Sequence, residues 1–239
     1  MWDSSDADEF RECSTKARIL TSPPPEFRLL ETMLWTSGEG YFLLDRHLDR
    51  LTQSAGYFDF TVDAQSVREQ LDALAKRLGN APERVRLLLA RAGAIALESA
   101  PLTPGDAAKR RRVFLARAPV NSQDAFLYHK TTNRRVYQEA LAARSGYDDV
   151  LLWNEKGEVT ESCIANVVVE RDGRWVTPPV RCGLLGGVYR GWMIDQGLVQ
   201  EDVIRVDELP FCSRIFLINS VRKQEEVLVD LGMEGGVLR

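Results

Sequence analysis

Residues 126–141 read FLYHKTTNRRVYQEAL. One lysine, Lys130, stands between an aromatic and apolar run and a threonine pair, and residues 132–145 predict a helix. A lysine attacks a carbonyl group or forms a Schiff base only when part of it is unprotonated, and apolar or cationic neighbours bring that about. Phe126, Leu127 and Tyr128 supply neighbours of the first kind and Arg134 one of the second. A solvated charge is the commoner role for a lysine at a strand-to-helix junction, so this stretch alone leaves chemistry and surface both open.

Outward from Lys130 the chain mixes strands and helices with mostly local connections. Downstream, residues 149–154 predict a strand, NEKG (154–157) a tight turn and residues 158–160 the return. Residues 165–170 and 174–177 are further short strands, joined by the hairpin signal Asp172-Gly173. Residues 188–196 predict a helix and 215–219 a buried strand. Upstream, APVNSQDAF (118–126) reads as a link between lobes, preceded by strand candidates at 85–92, 94–98 and 113–118. Residues 64–78 predict a helix with Val67, Leu71, Leu74 and Leu78 on one face, ended by Gly79. Another helix starts near Arg46, with Leu48, Leu51 and Ala55 inward. Residues 27–35 and 41–44 make a hairpin around SGEG. A first helix over residues 4–20 is broken by TSPPPEF (21–27), because consecutive prolines cannot continue a helix. The fold class is α+β in two lobes: a tail and linker over residues 1–24, an N-terminal α/β lobe over 25–120 and a C-terminal lobe over 121–239.

With 239 residues, 44% of them hydrophobic, the chain has enough apolar material for a sizeable core. A net charge of −4, from 31 basic and 35 acidic residues, points away from nucleic acid and membrane surfaces as partners. The basic run Lys109–Arg112 is short and reads as a solvated loop. Cys13, Cys163, Cys182 and Cys212 form no C-x-x-C pair, and the two histidines, His47 and His129, are too scattered to complete a metal site. The cysteines read as reduced thiols of a cytoplasmic protein. No basic start leads into an apolar run as in a signal peptide, and no apolar stretch is long enough to span a bilayer.

Four further segments carry candidate chemistry. GEVTESCIANVVV (157–169) places Glu161 after a strand and before small polar residues, where it is either a turn-capping carboxylate or the partner of a protonated ring nitrogen. CGLLGGVYRGWMI (182–194) sets glycines before a helix start at Val188, where exposed N–H groups bind phosphate. It lacks the nucleotide-binding glycine patterns, so a phosphate smaller than a nucleotide's fits better; a plain glycine turn is the alternative. FLINSVR (216–222) ends a buried strand in Asn219-Ser220. RHLDRL (46–51) carries Arg50, which is either a phosphate ligand or a surface charge.

HKTTNR, VTESCIAN, GLLGGVYR, FLINSVR and HLDRL stand in an order and spacing that resembles the class IV pyridoxal-phosphate enzymes. That family holds branched-chain and D-amino-acid aminotransferases and 4-amino-4-deoxychorismate lyase. The resemblance runs from about Phe27 to the C-terminus. It implies two α/β lobes with pyridoxal 5'-phosphate in the cleft between them, and a homodimer. It further implies that Lys130 carries the cofactor covalently and is the catalytic base, and that Glu161 pairs with the ring nitrogen. Arg50, the segment Gly187, Val188 and Tyr189, and Ser220 would hold the phosphate, while Asn166 positions the ring.

Residues 1–20, MWDSSDADEFRECSTKARIL, resemble the end of chorismate-using aminodeoxychorismate synthases, and PPPEFRLLETMLW (23–35) resembles the join to the lyase half of synthase–lyase fusions. Such fusions favour proline where this chain has Gly186. The implied reaction converts 4-amino-4-deoxychorismate to 4-aminobenzoate and pyruvate, towards folate, with a separate synthase as a docking partner. The rival readings are a class IV aminotransferase for branched-chain or D-amino acids and a non-catalytic dimerisation or docking domain. The stripe Phe10, Cys13, Ala17 and Leu20 is too narrow to form a core by itself, and the prolines after it make a stiff spacer. A chain starting near Pro25 is therefore expected to remain soluble, yellow with cofactor and active; loss of cofactor or activity with the fold intact by circular dichroism would contradict this.

Overall fold

The computed structural model describes residues 26–103, 110–232 and 237–238. The helix expected at 4–20, and with it Cys13, lies outside the described residues.

The first sheet has the order β2-β1-β3-β4 and is antiparallel throughout. Its strands are β1 (Leu29–Thr36), β2 (Gly40–Tyr41), β3 (Glu83–Leu89) and β4 (Ile95–Pro101). Helices α1 (Leu44–Phe58) and α2 (Ala64–Ala75) cover one face. Leu48, Leu51 and Ala55 of α1 and Val67, Leu71 and Leu74 of α2 recur every three or four residues. They pack on Leu29, Met33, Val85, Leu87 and Leu89, which alternate along the strands. Asp63 caps α2 by accepting from the N–H groups of Gln65 and Ser66. The return strand expected at 41–44 is shorter than the pattern suggests. Leu43 adopts a left-handed backbone (φ 55°), which ends the extended run and starts α1 at Leu44.

The second sheet has nine strands. These are β5 (Arg111–Leu115), β6 (Asp149–Trp153), β7 (Val159–Ser162), β8 (Asn166–Arg171), β9 (Arg174–Thr177), β10 (Gln200–Glu201), β11 (Arg214–Asn219), β12 (Lys223–Asp230) and β13 (Val237–Leu238). The path β8-β11-β12-β5-β6-β7 closes on itself, because β7 also pairs β8; β9 and β10 extend from the far end of β8, and β13 pairs β12. Closure removes the open edges that a flat sheet would expose.

Strand alternation sorts the side chains. Val113, Leu151, Val167, Val169, Ile215, Leu217, Val227 and Val229 fill the interior. Phe114, Val150 and Leu152 face outward under α3 (Arg135–Ala142), and Val168, Phe216 and Ile218 under α4 (Val188–Asp195). Strands β6, β8 and β11 are buried on both faces, so they read as near-continuous apolar runs rather than alternating ones.

Three further expectations change. The strand near 113–118, placed by sequence in the N-terminal lobe, is β5, and it pairs in parallel with β12 and β6. The change of sheet thus falls between β4 and β5, ahead of the link at 118–126. The basic run is no loop from Arg111 onward: Arg111 and Arg112 lie in β5, and Arg111 pairs with Glu225 (3.4 Å), while Arg110 before the strand is exposed and pairs with Glu226 (3.1 Å). Helix α3 ends at Ala142, short of the predicted 145, and starts later than the predicted 132, because residues 130–132 are committed to strand contacts. The N–H of Leu30 donates to Lys130 O (3.0 Å), and the N–H of Thr132 donates to Arg28 O (2.9 Å). That staple joins β1 of the first sheet to the lysine segment. Among the described residues, Cys163, Cys182 and Cys212 are buried free thiols, and no helix is long and apolar enough to cross a membrane.

Candidate active site

One cleft is lined by Arg50, Lys130, Glu161, Asn166, Gly187, Val188, Tyr189 and Ser220, all the residues singled out from sequence. Arg134, Tyr137 and Ile164 join them there.

Lys130 is half-buried, and its backbone is fixed by the staple to β1. Burial first, and then the positive charge of Arg50, bring its ammonium down to about 8; Arg134 adds to this, while Glu31 and Glu161 oppose it. Among the described residues no carboxylate forms an ion pair with it. Of the neighbours expected from the sequence, Arg134 is at work, but the cation with the larger effect is Arg50, from the other lobe.

Glu161 lies on β7 at the point of barrel closure, where its register partner is Asn166. Its side chain is 4% exposed. Tyr137 donates its hydroxyl to Oε1 (2.8 Å), and so does the Leu185 N–H (3.2 Å); Asn166 Nδ2 donates to Oε2 (3.2 Å). Burial pushes this carboxyl up to about 7, against those hydrogen bonds and the charges of Lys130 and Arg134, which pull it down. The amine and the carboxylate are thus displaced towards each other, the pattern of groups poised for proton transfer.

Helix α4 begins at Val188 with Gly187 as its cap, so no cap side chain occupies its first N–H groups. Gly187 is required by close approach: a Cβ there would stand 1.8 Å from Asn166 Oδ1. Asn166 also donates to Leu185 O (2.8 Å), and so binds the glycine loop to the strand that carries the site. Gly186, where proline was expected, is spacious: an added Cβ would meet nothing nearer than Val180 at 3.8 Å. At the end of β11, Asn219 Oδ1 accepts from the N–H groups of Val221 (3.0 Å) and Arg222 (2.9 Å), a turn that sets the buried Ser220 against the cleft.

Arg50 reaches the same loop from α1. It donates through Nε (2.9 Å) and Nη2 (2.6 Å) to both oxygens of Glu31, and through Nη1 to Gly186 O (3.2 Å). His47 Nδ1 lies 2.7 Å from Glu31 Oε2. Burial would raise Glu31, but Arg50 and His47 outweigh it and hold the carboxyl down at about 2. His47 is itself lowered by burial, so the imidazole is neutral and its Nδ1–H donates.

Sequence reasoning missed Glu31, Tyr137 and the Leu185 N–H. For Glu31 a signal existed, a lone carboxylate inside the apolar strand LLETMLWT. His129 is packed: its Nδ1 is 3.0 Å from Ser54 Oγ, and its ring stacks on Tyr57 at 4.4 Å.

An unpaired amine, a buried carboxylate, a helix start capped by glycine, a guanidinium and a hydroxyl converge in this cleft. The family model described as amino-transferase class IV matches residues 28–226. The chain belongs to the class IV aminotransferase family. A protein of Schizosaccharomyces pombe named "Putative aminodeoxychorismate lyase" is 32% identical over 206 residues, covering 83% of this chain and 87% of that one. The crystal structure of a "Putative amino-acid aminotransferase" from Mesorhizobium loti is 36% identical with a TM-score of 0.80, covering 86% of this chain and all of that one. The PLP-bound form of a "hypothetical aminotransferase" from Mycobacterium tuberculosis is 25% identical with a TM-score of 0.75, over 89% of this chain and 83% of that one. The class IV fold, two α/β lobes around a cleft, is therefore the fold of this chain.

The depressed lysine has a consequence for the protein without ligand. Its amine is lowered from the ordinary 10.5 to about 8, so below that pH folding must bury a charge. The unfolded chain binds the extra proton between the two values, and stability rises with pH across that window. Lys130→Met should raise stability by roughly 1–3 kcal/mol at pH 7, and the gain should shrink as pH climbs from about 8 to 10.5. Urea unfolding of both proteins across pH measures this; a gain independent of pH would contradict it.

Proposed function

We propose that the cleft binds pyridoxal phosphate and that the chain is a lyase, converting 4-amino-4-deoxychorismate to 4-aminobenzoate and pyruvate. The observation that carries the cofactor assignment is the meeting of Lys130 and Glu161 in one cleft with the start of α4. Those residues suit the group: α4 offers N–H groups with no capping side chain, Gly187 leaves room for a close approach, and Arg50 has donors beyond those used by Glu31.

In this reading Arg50, the N–H groups of Val188 and Tyr189, and Ser220 Oγ bind the phosphate. Asn166 holds the loop behind it, and Lys130 carries the cofactor covalently. Glu161 keeps the ring nitrogen protonated. When bound, pyridoxal phosphate withdraws electrons from the substrate carbon that bears the amine and so weakens its C–H bond. With the substrate's amine in its place on the cofactor, Lys130 Nζ would be a free amine again, and an environment that lowers its proton affinity would suit it to take the proton from that carbon. The enolpyruvyl group then departs as pyruvate after proton donation, and aromatisation supplies driving force. Arg134 lines the cleft and has donors beyond the one that bonds Cys163 O, which suits a substrate bearing carboxylates. In the same reading the chain works as a homodimer.

Support for the lyase over its relatives comes from the S. pombe protein's printed name, at an identity that spans most of both chains, and from the synthase-like residues 1–20. A second reading, a class IV aminotransferase, is favoured by the M. loti structure's printed name and uses the same anchors. Incubation with enzymatically made aminodeoxychorismate should release 4-aminobenzoate and pyruvate in equal amounts, and Glu161→Gln should slow the release by about 10²–10⁴-fold. Keto-acid formation from amino acids without lyase products would decide for the aminotransferase, and wild-type turnover in Glu161→Gln would refute the role given to that carboxylate.

A further inference from the structure

Tyr137 belongs to α3, is 7% exposed and packs among Phe114, Val150 and Leu152. Its hydroxyl meets Glu161 Oε1 at 2.8 Å. Two further contacts hold the residue. The Arg134 guanidinium lies 4.3 Å from its centroid, and Cys163 Sγ donates to its backbone carbonyl. Arg134 is in turn hydrogen-bonded to Cys163 O. A cation over the face of a phenol withdraws electron density from the ring, which makes its O–H a better donor.

The two oxygens of Glu161 are consequently unlike. Oε1 takes both the phenol and the Leu185 N–H, whereas Oε2 takes a single 3.2 Å bond from Asn166. Oε2 is the oxygen with accepting capacity to spare. Without the phenol, a carboxyl buried to this degree would take up a proton more readily. A protonated Glu161 would then be a hydrogen-bond donor to a ring nitrogen, not the anion that keeps that nitrogen protonated.

We propose that Tyr137 is a positioning residue for Glu161: it occupies Oε1 and holds the carboxyl ionised, so that Oε2 is the oxygen presented to the cofactor's ring nitrogen. This rests on the reading of the cleft as a pyridoxal phosphate site. The charged groups facing Glu161 are Lys130 and Arg134; the titratable neutral ones are Tyr137 and, next to it, Cys163. Their arrangement separates the phenol's contribution from theirs, because Tyr137→Phe removes one oxygen and leaves the packed ring in place.

The test has two arms. In the cofactor-free protein, carbon NMR of labelled glutamate follows the titration of Glu161 directly, with Glu161→Gln assigning the signal. Tyr137→Phe should raise its midpoint by about one pH unit or more, the scale of one hydrogen bond to a charged group. In the protein loaded with cofactor labelled at the ring nitrogen, Tyr137→Phe should move the nitrogen signal towards that of the unprotonated ring. The double variant Tyr137→Phe/Glu161→Gln should match Glu161→Gln alone. Thermal unfolding and circular dichroism confirm that the ring still packs. An unchanged Glu161 midpoint in a folded Tyr137→Phe protein overturns the inference. A raised midpoint, with wild-type protein that takes up no pyridoxal phosphate or with a nitrogen signal indifferent to Glu161→Gln, overturns instead the reading of the site, and with it the link to the ring nitrogen.

Discussion

The site depends on one register pair. Glu161 and Asn166 face each other where β7 folds back onto β8, and that contact closes the barrel. The turn between them has no slack: Ser162 donates to Ala165 O, and its hydroxyl accepts from the Ala165 N–H at 3.0 Å. A one-residue slip would turn Val167 and Val169 out of the interior, so apolar packing fixes the register. The same register puts a carboxylate and an amide, five residues apart in the chain, side by side in the cleft. Barrel stability and site geometry are thus one constraint.

Around that corner the cleft is assembled from both lobes by polar groups that are satisfied mainly by each other. Arg50 comes from α1, yet it is tied to Glu31 of β1 and to Gly186 beyond the barrel. Lys130 is stapled to β1 by its own carbonyl. Burying so many charges costs stability unless they are paired, and a charge left unpaired is costly enough to suggest a use. Glu31 and Arg50 neutralise one another, while Lys130 is left with a lowered proton affinity and Glu161 with a raised one. Catalytic sites are where such displacements concentrate.

The sequence made the site more legible than the fold. Lys130, Glu161, Arg50 and the glycine loop each sit in a short motif with local meaning, and all of them meet in one cleft. The hairpins at Asp172-Gly173 and around SGEG were equally local, and so were visible. What stayed hidden was non-local. Strand β12, KQEEVLVD, opens on charged residues and was not read as a strand; its inward residues are Val227 and Val229 alone. Its parallel pairing to β5 moved that strand out of the lobe its position suggested. Glu31 and Tyr137 were missed for a related reason: each acts through a partner at least sixteen positions away, Glu31 on His47 and Arg50, Tyr137 on Glu161.

The central claim is that Lys130 is the amine that carries a cofactor aldehyde. Loading the purified protein with pyridoxal phosphate, reducing it with borohydride and mapping the labelled peptide tests it most directly. The account predicts a single label, on Lys130 within the segment FLYHKTTNR. A label on another lysine, or no label after reconstitution, would contradict it.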